Sequence, residues 1–381
     1  MSTVDGHSRT RGNVNRQSTV DAAPDALTPD VPARHRFRAV AVARVVPETA
    51  DAVSLVLDIP PDDASAFRYR PGQFVTLRVT VDGEQHVRSY SMSSTPGIDP
   101  DLRITVKQVA GGVVSTWIHD ELRAGDRVEV MPPAGTFVVD GSRDVVAFAA
   151  GSGITPVFSI VKAVLAEGGP HVVLHYANQD RASTIFAAEL DALAERHPDR
   201  FELRHHHDVD LGFTTPDHVV EIASHHRDAD HLVCGPPGFM DVVEGALVAT
   251  GIDPGAIHLE RFTPADRGTV DVEQQVGDGP DDPEAPARGD QPVEVTIRMG
   301  RERVTAPYRP GTTILQAARV AGLRAPSSCE TGSCATCMAR VTEGRVEMRN
   351  NEALTPDEVD EGWVLTCQSV PITTTVTVEY E

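Results

Sequence analysis

The chain has 381 residues, 40% of them hydrophobic, which is enough for two or three domains with cores of their own. Its 56 Asp and Glu outnumber 34 Lys and Arg, for a formal charge of −22, and this argues against a nucleic-acid partner, whose phosphates would be repelled. No apolar signal core opens the chain, and the uncharged run from Val145 to Val161 is short and broken by Gly151, Gly153 and Pro156, so a cytoplasmic protein with no membrane span is expected.

Residues 1–34 are polar, without periodicity, and read as a disordered tail. From 35 to 141 short alternating strands are separated by Gly and Pro turns, the pattern of an antiparallel β-barrel. Strands are predicted at Arg38–Val46, Gln73–Val81, Leu102–Gln108 and Arg127–Met131. Within this region lies Arg88-Ser89-Tyr90-Ser91. Alternate side chains of a strand share a face, so Arg88 offers a cation for a phosphate beside Tyr90, a ring for a flavin to pack on, and Ser91 offers a hydroxyl to the ring edge. Gly111 and Gly112 then open a predicted helix over Val113–Leu122. Its N-terminal N–H groups, with Ser115, suit a pyrophosphate. An R-x-Y-S run alone also fits an ordinary strand; the G-x-x-S that follows it makes the pair informative.

Residues 142–263 change to strand–helix alternation, predicting an α/β domain with a parallel sheet. Val145–Ala149 is a continuous apolar strand running into Gly151-Ser152-Gly153-Ile154-Thr155-Pro156 and a helix over Val157–Ala166, with Pro156 suited to the first turn. Such a Gly-rich turn admits a phosphate-bearing ligand, although a plain strand–turn–helix junction has the same appearance. Strands are also predicted at His171–Ala177, Phe201–His205 and Asp230–Cys234, and a helix at Thr184–Ala194. Cys234-Gly235-Pro236 stands at a carboxyl end of the sheet, where ligands bind in open α/β folds; a buried inert thiol is the alternative for Cys234. His205, His206 and His207 suggest a metal cluster, but neighbours on a strand point to opposite faces, and a solvated loop is the default expectation.

Residues 264–290 are acidic and rich in Gly and Pro, and read as a flexible linker with a reach of roughly 30 Å as a coil. From 291 to 381 the expected fold is a β-grasp, with strands at Val293–Arg298, Val304–Tyr308 and Ile372–Tyr380 and a helix at Thr312–Ala321. This region holds four of the five cysteines, Cys329, Cys334, Cys337 and Cys367, spaced C-x4-C-x2-C and then 29 residues. That is the plant-type spacing for a [2Fe–2S] cluster, and small residues such as Gly332 and Ala335 let the backbone wrap close to it. A four-cysteine zinc site is the alternative, but its ligands usually fall in two close pairs.

In these motifs and their order the chain resembles the ferredoxin–NADP reductase superfamily. More narrowly it resembles the three-part bacterial reductases of phenylacetyl-CoA epoxidase and 3-ketosteroid 9α-hydroxylase systems. The likeness covers about residues 36–262 and 291–381. It implies FAD held by Arg88, Tyr90, Ser91, Gly112 and Ser115. It also implies NADH or NADPH lined by Gly151, Gly153, Thr155, Pro156 and Gly235, with Cys234 beside the nicotinamide, and Glu260 and Phe262 near the flavin. Gln179 stands where relatives often carry Arg, and with Asp180 adjacent this leans toward NADH, although Arg181 and Ser183 offer partners to a 2′-phosphate.

The reading that follows is an oxidoreductase passing electrons from NAD(P)H through flavin to the cluster, with Ser91, Cys234 and Glu260 as catalytic candidates. A terminal oxygenase is the expected acceptor and a monomer the expected state. A fatty-acid desaturase or di-iron hydroxylase as acceptor, FMN in place of FAD, and a redox-sensing role remain open at this point.

Overall fold

The computed structural model describes residues 18–21, 31–262, 294–300, 302–309 and 311–380. The expected acidic linker, 264–290, lies outside the described residues. Ser18–Asp21 form β1, which departs from the expectation of a disordered tail: it pairs antiparallel with a strand near the other end of the chain, matching Ser18 to Met348 and Asp21 to Arg345.

The barrel region carries β2 (Arg38–Thr49), β3 (Ala52–Asp58), β4 (Phe74–Val81), β5 (Glu84–Ser91), β6 (Leu102–Lys107), α1 (Val113–Asp120) and β7 (Arg127–Ala134). All pairings are antiparallel, in the order β5-β4-β7-β2-β3-β6. A single bridge from Met92 to Ile104 joins the end of β5 to β6 and closes the sheet on itself. Val40, Leu55, Val75, Leu77, Ile104, Ile118 and Val130 fill the interior. The R-x-Y-S run is the last part of β5.

The second region holds β8 (Val145–Ala150), α2 (Ile154–Ala166), β9 (Val172–Asn178), α3 (Ala187–Arg196), β10 (Phe201–His207), α4 (Asp208–Leu211), α5 (Pro216–Ala223), β11 (Asp230–Cys234), α6 (Pro237–Thr250) and β12 (Ile257–Glu260). The sheet is wholly parallel, in the order β10-β9-β8-β11-β12. β8 is buried along its whole length because both faces are covered: Val145, Ala147 and Ala149 face one helical layer, Val146 and Phe148 the other. The three consecutive histidines form the end of β10, not a solvated loop; parallel pairing with Tyr176, Ala177 and Asn178 holds them in the sheet, and His206 is buried.

The last region contains β13 (Glu294–Met299), β14 (Glu302–Pro307), α7 (Ile314–Val320), β15 (Met338–Glu343), β16 (Arg345–Met348), α8 (Pro356–Asp360), β17 (Trp363–Leu365), β18 (Ser369–Pro371) and β19 (Thr375–Tyr380). The main sheet runs β14-β13-β19-β15-β17, with α7 across it. β1, β16 and β18 make a small second sheet. Trp363, Val341, Val378 and Ile314 lie at the centre of this core.

Candidate electron-transfer site

β5 presents two faces. Its register on β4 sets Arg88 opposite Leu77 and Tyr90 opposite Val75, so Arg88 and Tyr90 share one face and Ser89 and Ser91 the other. Burial pushes the Tyr90 hydroxyl well above its ordinary range, against the pull of the neighbouring Arg88 cation. Arg88 donates to the Val87 carbonyl at 2.9 Å. Ser91 is buried. At the start of α1 the Ser115 hydroxyl accepts from the Val109 N–H (3.1 Å) and donates to the Gly112 carbonyl (3.3 Å). A side chain at Gly112 would come within 2.6 Å of that hydroxyl, so glycine here keeps the turn tight.

The Gly151–Gly153 turn packs directly on the end of β11. A Cβ at Gly153 would lie 2.1 Å from the Cys234 carbonyl oxygen, and one at Gly235 3.0 Å from the Ala150 side chain. The backbones of the two sequence-predicted nicotinamide loops therefore touch because both lack side chains. Thr155 is buried and donates to the Ser152 carbonyl at 3.0 Å; Pro156 follows it in the first turn of α2. Cys234 is fully buried, and burial raises its thiol far above the ordinary value, with the Glu260 charge adding to the effect. Glu260 faces it from the adjacent strand, in register with Cys234. Burial first, then the Cys329 and Glu352 charges, push the Glu260 carboxyl up to about 8. Glu260 is thus within electrostatic reach of both the Cys234 thiol and the cysteine loop. Phe262 is partly exposed just beyond β12. Arg181 is engaged elsewhere, in an ion pair with Asp191 at 3.1 Å.

The four cysteines come together as two neighbouring pairs. The Cys329 N–H donates to Cys334 Sγ at 3.5 Å, and hydrogen bonding from Cys334 brings the Cys329 thiol down to about 4 despite its burial. Cys337 is raised by its hydrogen bond with Cys367 and by burial. Among the described residues no group of three or more His, Cys, Asp or Glu is placed to hold a single metal ion. Two thiol pairs suit two bridged irons better than one zinc. The loop is wound tightly: Glu330 and Ala335 have positive φ of 55° and 56°, and Gly332 one of 91°, with a Cβ there only 2.9 Å from the Asn350 carbonyl oxygen.

Residues 41–139 match the oxidoreductase FAD-binding domain family, 148–245 the oxidoreductase NAD-binding domain family, and 297–371 the 2Fe-2S iron-sulfur cluster binding domain family. The chain is 38% identical to the ferredoxin reductase component of 3-ketosteroid-9-alpha-monooxygenase from Rhodococcus rhodochrous, over 93% of this chain and 99% of that protein. It is 34% identical to a component of 1,2-phenylacetyl-CoA epoxidase from Escherichia coli, over 91% of this chain and 98% of that protein. The chain belongs to this family of three-part oxygenase reductase components.

The solved phthalate dioxygenase reductase shares the fold with a TM-score of 0.55, at 24% identity over 90% of this chain and 98% of that one. The reductase is therefore an FAD, NAD and [2Fe–2S] oxidoreductase that passes electrons from NAD(P)H through FAD to its cluster and on to an oxygenase.

Sequence reasoning missed how the cluster region meets the barrel. The Ser89 and Ser328 hydroxyls share a hydrogen bond of 2.7 Å, tying the R-x-Y-S strand to the residue before the first cluster cysteine. Thr136 donates to Glu352 at 2.9 Å, and Arg324 pairs with Glu84 at 3.1 Å. These polar contacts have no spacing signature. The one available hint was a serine beside each motif.

Proposed function

We propose that the reductase takes hydride from NADH at the junction of the Gly151–Gly153 turn and Cys234, and that electrons leave past Glu260 to the cysteine loop. The juxtaposition of Cys234, Glu260 and Cys329 supports this reading most directly. FAD supplies the two-electron to one-electron exchange when bound. Arg88, Gly112 and Ser115 hold its pyrophosphate, Tyr90 packs on its ring, and Ser91 reaches the ring edge. Cys234, kept neutral by burial, packs against the nicotinamide, while Gly151, Gly153, Thr155, Pro156 and Gly235 give the dinucleotide room to approach the backbone. Phe262 lies at the flavin edge, and Cys329, Cys334, Cys337 and Cys367 ligate the cluster. The domains divide at 35–141, 142–263 and 291–381.

The preference for NADH rests on the turn after β9. Arg181 is engaged by Asp191, and the Ser183 hydroxyl donates back to the Asp180 carbonyl at 3.0 Å. The Asp180 carboxylate, which accepts from the Ser183 N–H at 2.9 Å, would repel a 2′-phosphate while accepting a hydrogen bond from a ribose hydroxyl. The acceptor is the terminal component of a monooxygenase, reached by a soluble cytoplasmic monomer.

Anaerobic stopped-flow reduction with NADH and NADPH in parallel tests this. The expected result is flavin bleaching followed by cluster bleaching, with a higher kcat/KM for NADH. Flavin that bleaches beside a cluster that stays oxidised would remove the cluster from the path, and a preference for NADPH would refute the role given to Asp180.

A further inference from the structure

Residues 31–38 connect two bodies of the protein in a single short stretch. At one end Val31 packs against the core of the cluster region. Three residues on, the Arg34 guanidinium grips the segment before and within α8: its Nε donates to Glu358 Oε1 at 2.8 Å, its Nη2 to the other Glu358 oxygen, and the same nitrogen to the Ala353 carbonyl at 2.8 Å. His35 Nε2 stands 3.4 Å from Glu358. At the other end the chain belongs to the barrel. The Phe37 ring lies 4.2 Å under the Arg78 guanidinium, Arg38 pairs with Asp63, and β2 begins in register with β7. Upstream, β1 adds a strand to the small sheet of the cluster region.

The residues immediately before the gripped ones brace the cysteine loop. Glu352 donates its N–H to the Gly332 carbonyl at 3.1 Å, and the Asn350 side chain donates to the Thr331 carbonyl at 2.7 Å. The Glu352 carboxylate accepts from Thr136 of the barrel. Arg34 therefore acts on the cysteine loop through residues 350–358, and it does so from a chain anchored in the barrel.

We propose that residues 31–38 form a clasp that holds the cluster loop against the flavin barrel, with Arg34 as a positioning residue for electron passage from flavin to cluster. In each passage one electron leaves the reduced flavin and reduces the oxidised cluster; NAD(P)H supplies the pair, and the oxygenase removes it. The clasp leaves hydride transfer untouched, because neither Arg34 nor Glu358 borders the nicotinamide loops.

The test uses the full-length holoprotein with Arg34→Ala, Arg34→Lys and Glu358→Gln. Glutamine at 358 can still serve the Thr355 capping box, so α8 is kept while the ion pair is lost. In Arg34→Ala the cluster-bleaching phase should slow about fivefold, a charge-assisted fork weakened by the half-exposed Arg34, with flavin bleaching by NADH and the cluster EPR signature unchanged. Arg34→Lys should recover part of the rate. Amide exchange over residues 350–358 should quicken in Arg34→Ala. That measurement needs no electron transfer, so it fails independently of the electron path. Unchanged cluster-bleaching rates, unchanged exchange, or equal slowing of both phases would each overturn the proposal.

Discussion

At the scale of single residues, Glu260 carries the most consequence. It pairs in register with the fully buried Cys234, and burial with the Cys329 and Glu352 charges lifts its carboxyl to about 8. The group is neutral below that pH and ionised above it. On the proposed path from flavin to cluster a new negative charge opposes the arrival of electrons, so the cluster-bleaching rate should fall as pH rises through about 8. Glu260→Gln removes the titration; its rate should stay flat across the same window. A variant that retains the inflection would assign it to another group. Gly153 shows the opposite kind of residue, important for what it lacks: an added methyl would overlap the Cys234 carbonyl, so the close approach of the two loops demands glycine.

At the scale of elements, the parallel sheet of the second region has an acid-sensitive side. His175 on β9 and His231 on β11 are both buried; burial, reinforced by neighbouring cations, lowers His175 to about 3, and burial lowers His231 to about 4. Each folded-state value lies below the unfolded one near 6.5. The unfolded chain therefore binds these protons more readily, and the stability both residues contribute is fully present above 6.5 and lost as pH falls toward 4. Each should tilt stability by about 1.4 kcal/mol per pH unit in that window. Denaturant unfolding of the holoprotein at pH 7 and pH 5 measures it, and His175→Gln should flatten the slope. An unaltered slope in that variant would show that His175 does not titrate on unfolding. The His206 and His218 rings lie with centroids 5.1 and 6.5 Å from that of His175, close enough for a charge on either to add to the cost of protonating His175.

At the scale of the whole molecule, the cluster region meets the flavin barrel through small polar contacts. Ser328→Ala deletes the hydrogen bond to Ser89, which keeps its second partner, Thr76, at 2.9 Å. A neutral hydrogen bond contributes about 1 kcal/mol, so the cluster-bleaching phase should slow by roughly three- to sixfold while NADH reduces the flavin at the wild-type rate. If the two phases slow together, the contact supports the barrel and not the approach of the cluster. Such modest contacts suit a carrier that meets two partners in turn, its own flavin and an external oxygenase, since tight burial of the cluster face would bar the second.

The cysteine spacing, the R-x-Y-S and G-x-x-S runs and the Gly-rich turn were all legible in the amino-acid order. Each is a short run of particular residue types that stands out along the chain whatever the rest of the fold does. The parallel sheet was legible for a related reason, because two-sided burial imposes unbroken apolar runs such as Val145–Ala150. What only the tertiary structure decided is how these parts are joined. The Ser89–Ser328 and Arg34–Glu358 contacts link residues 239 and 324 positions apart. The alignment of Glu260 with Cys234 depends on strand register as well as on residue type. Periodicity reports on neighbours along a helix or strand, whereas a polar contact between distant segments repeats nothing and leaves no period to read. The same reason hid the strand at Ser18–Asp21: its hydrogen-bonding partner, Arg345–Met348, lies near the other end of the chain.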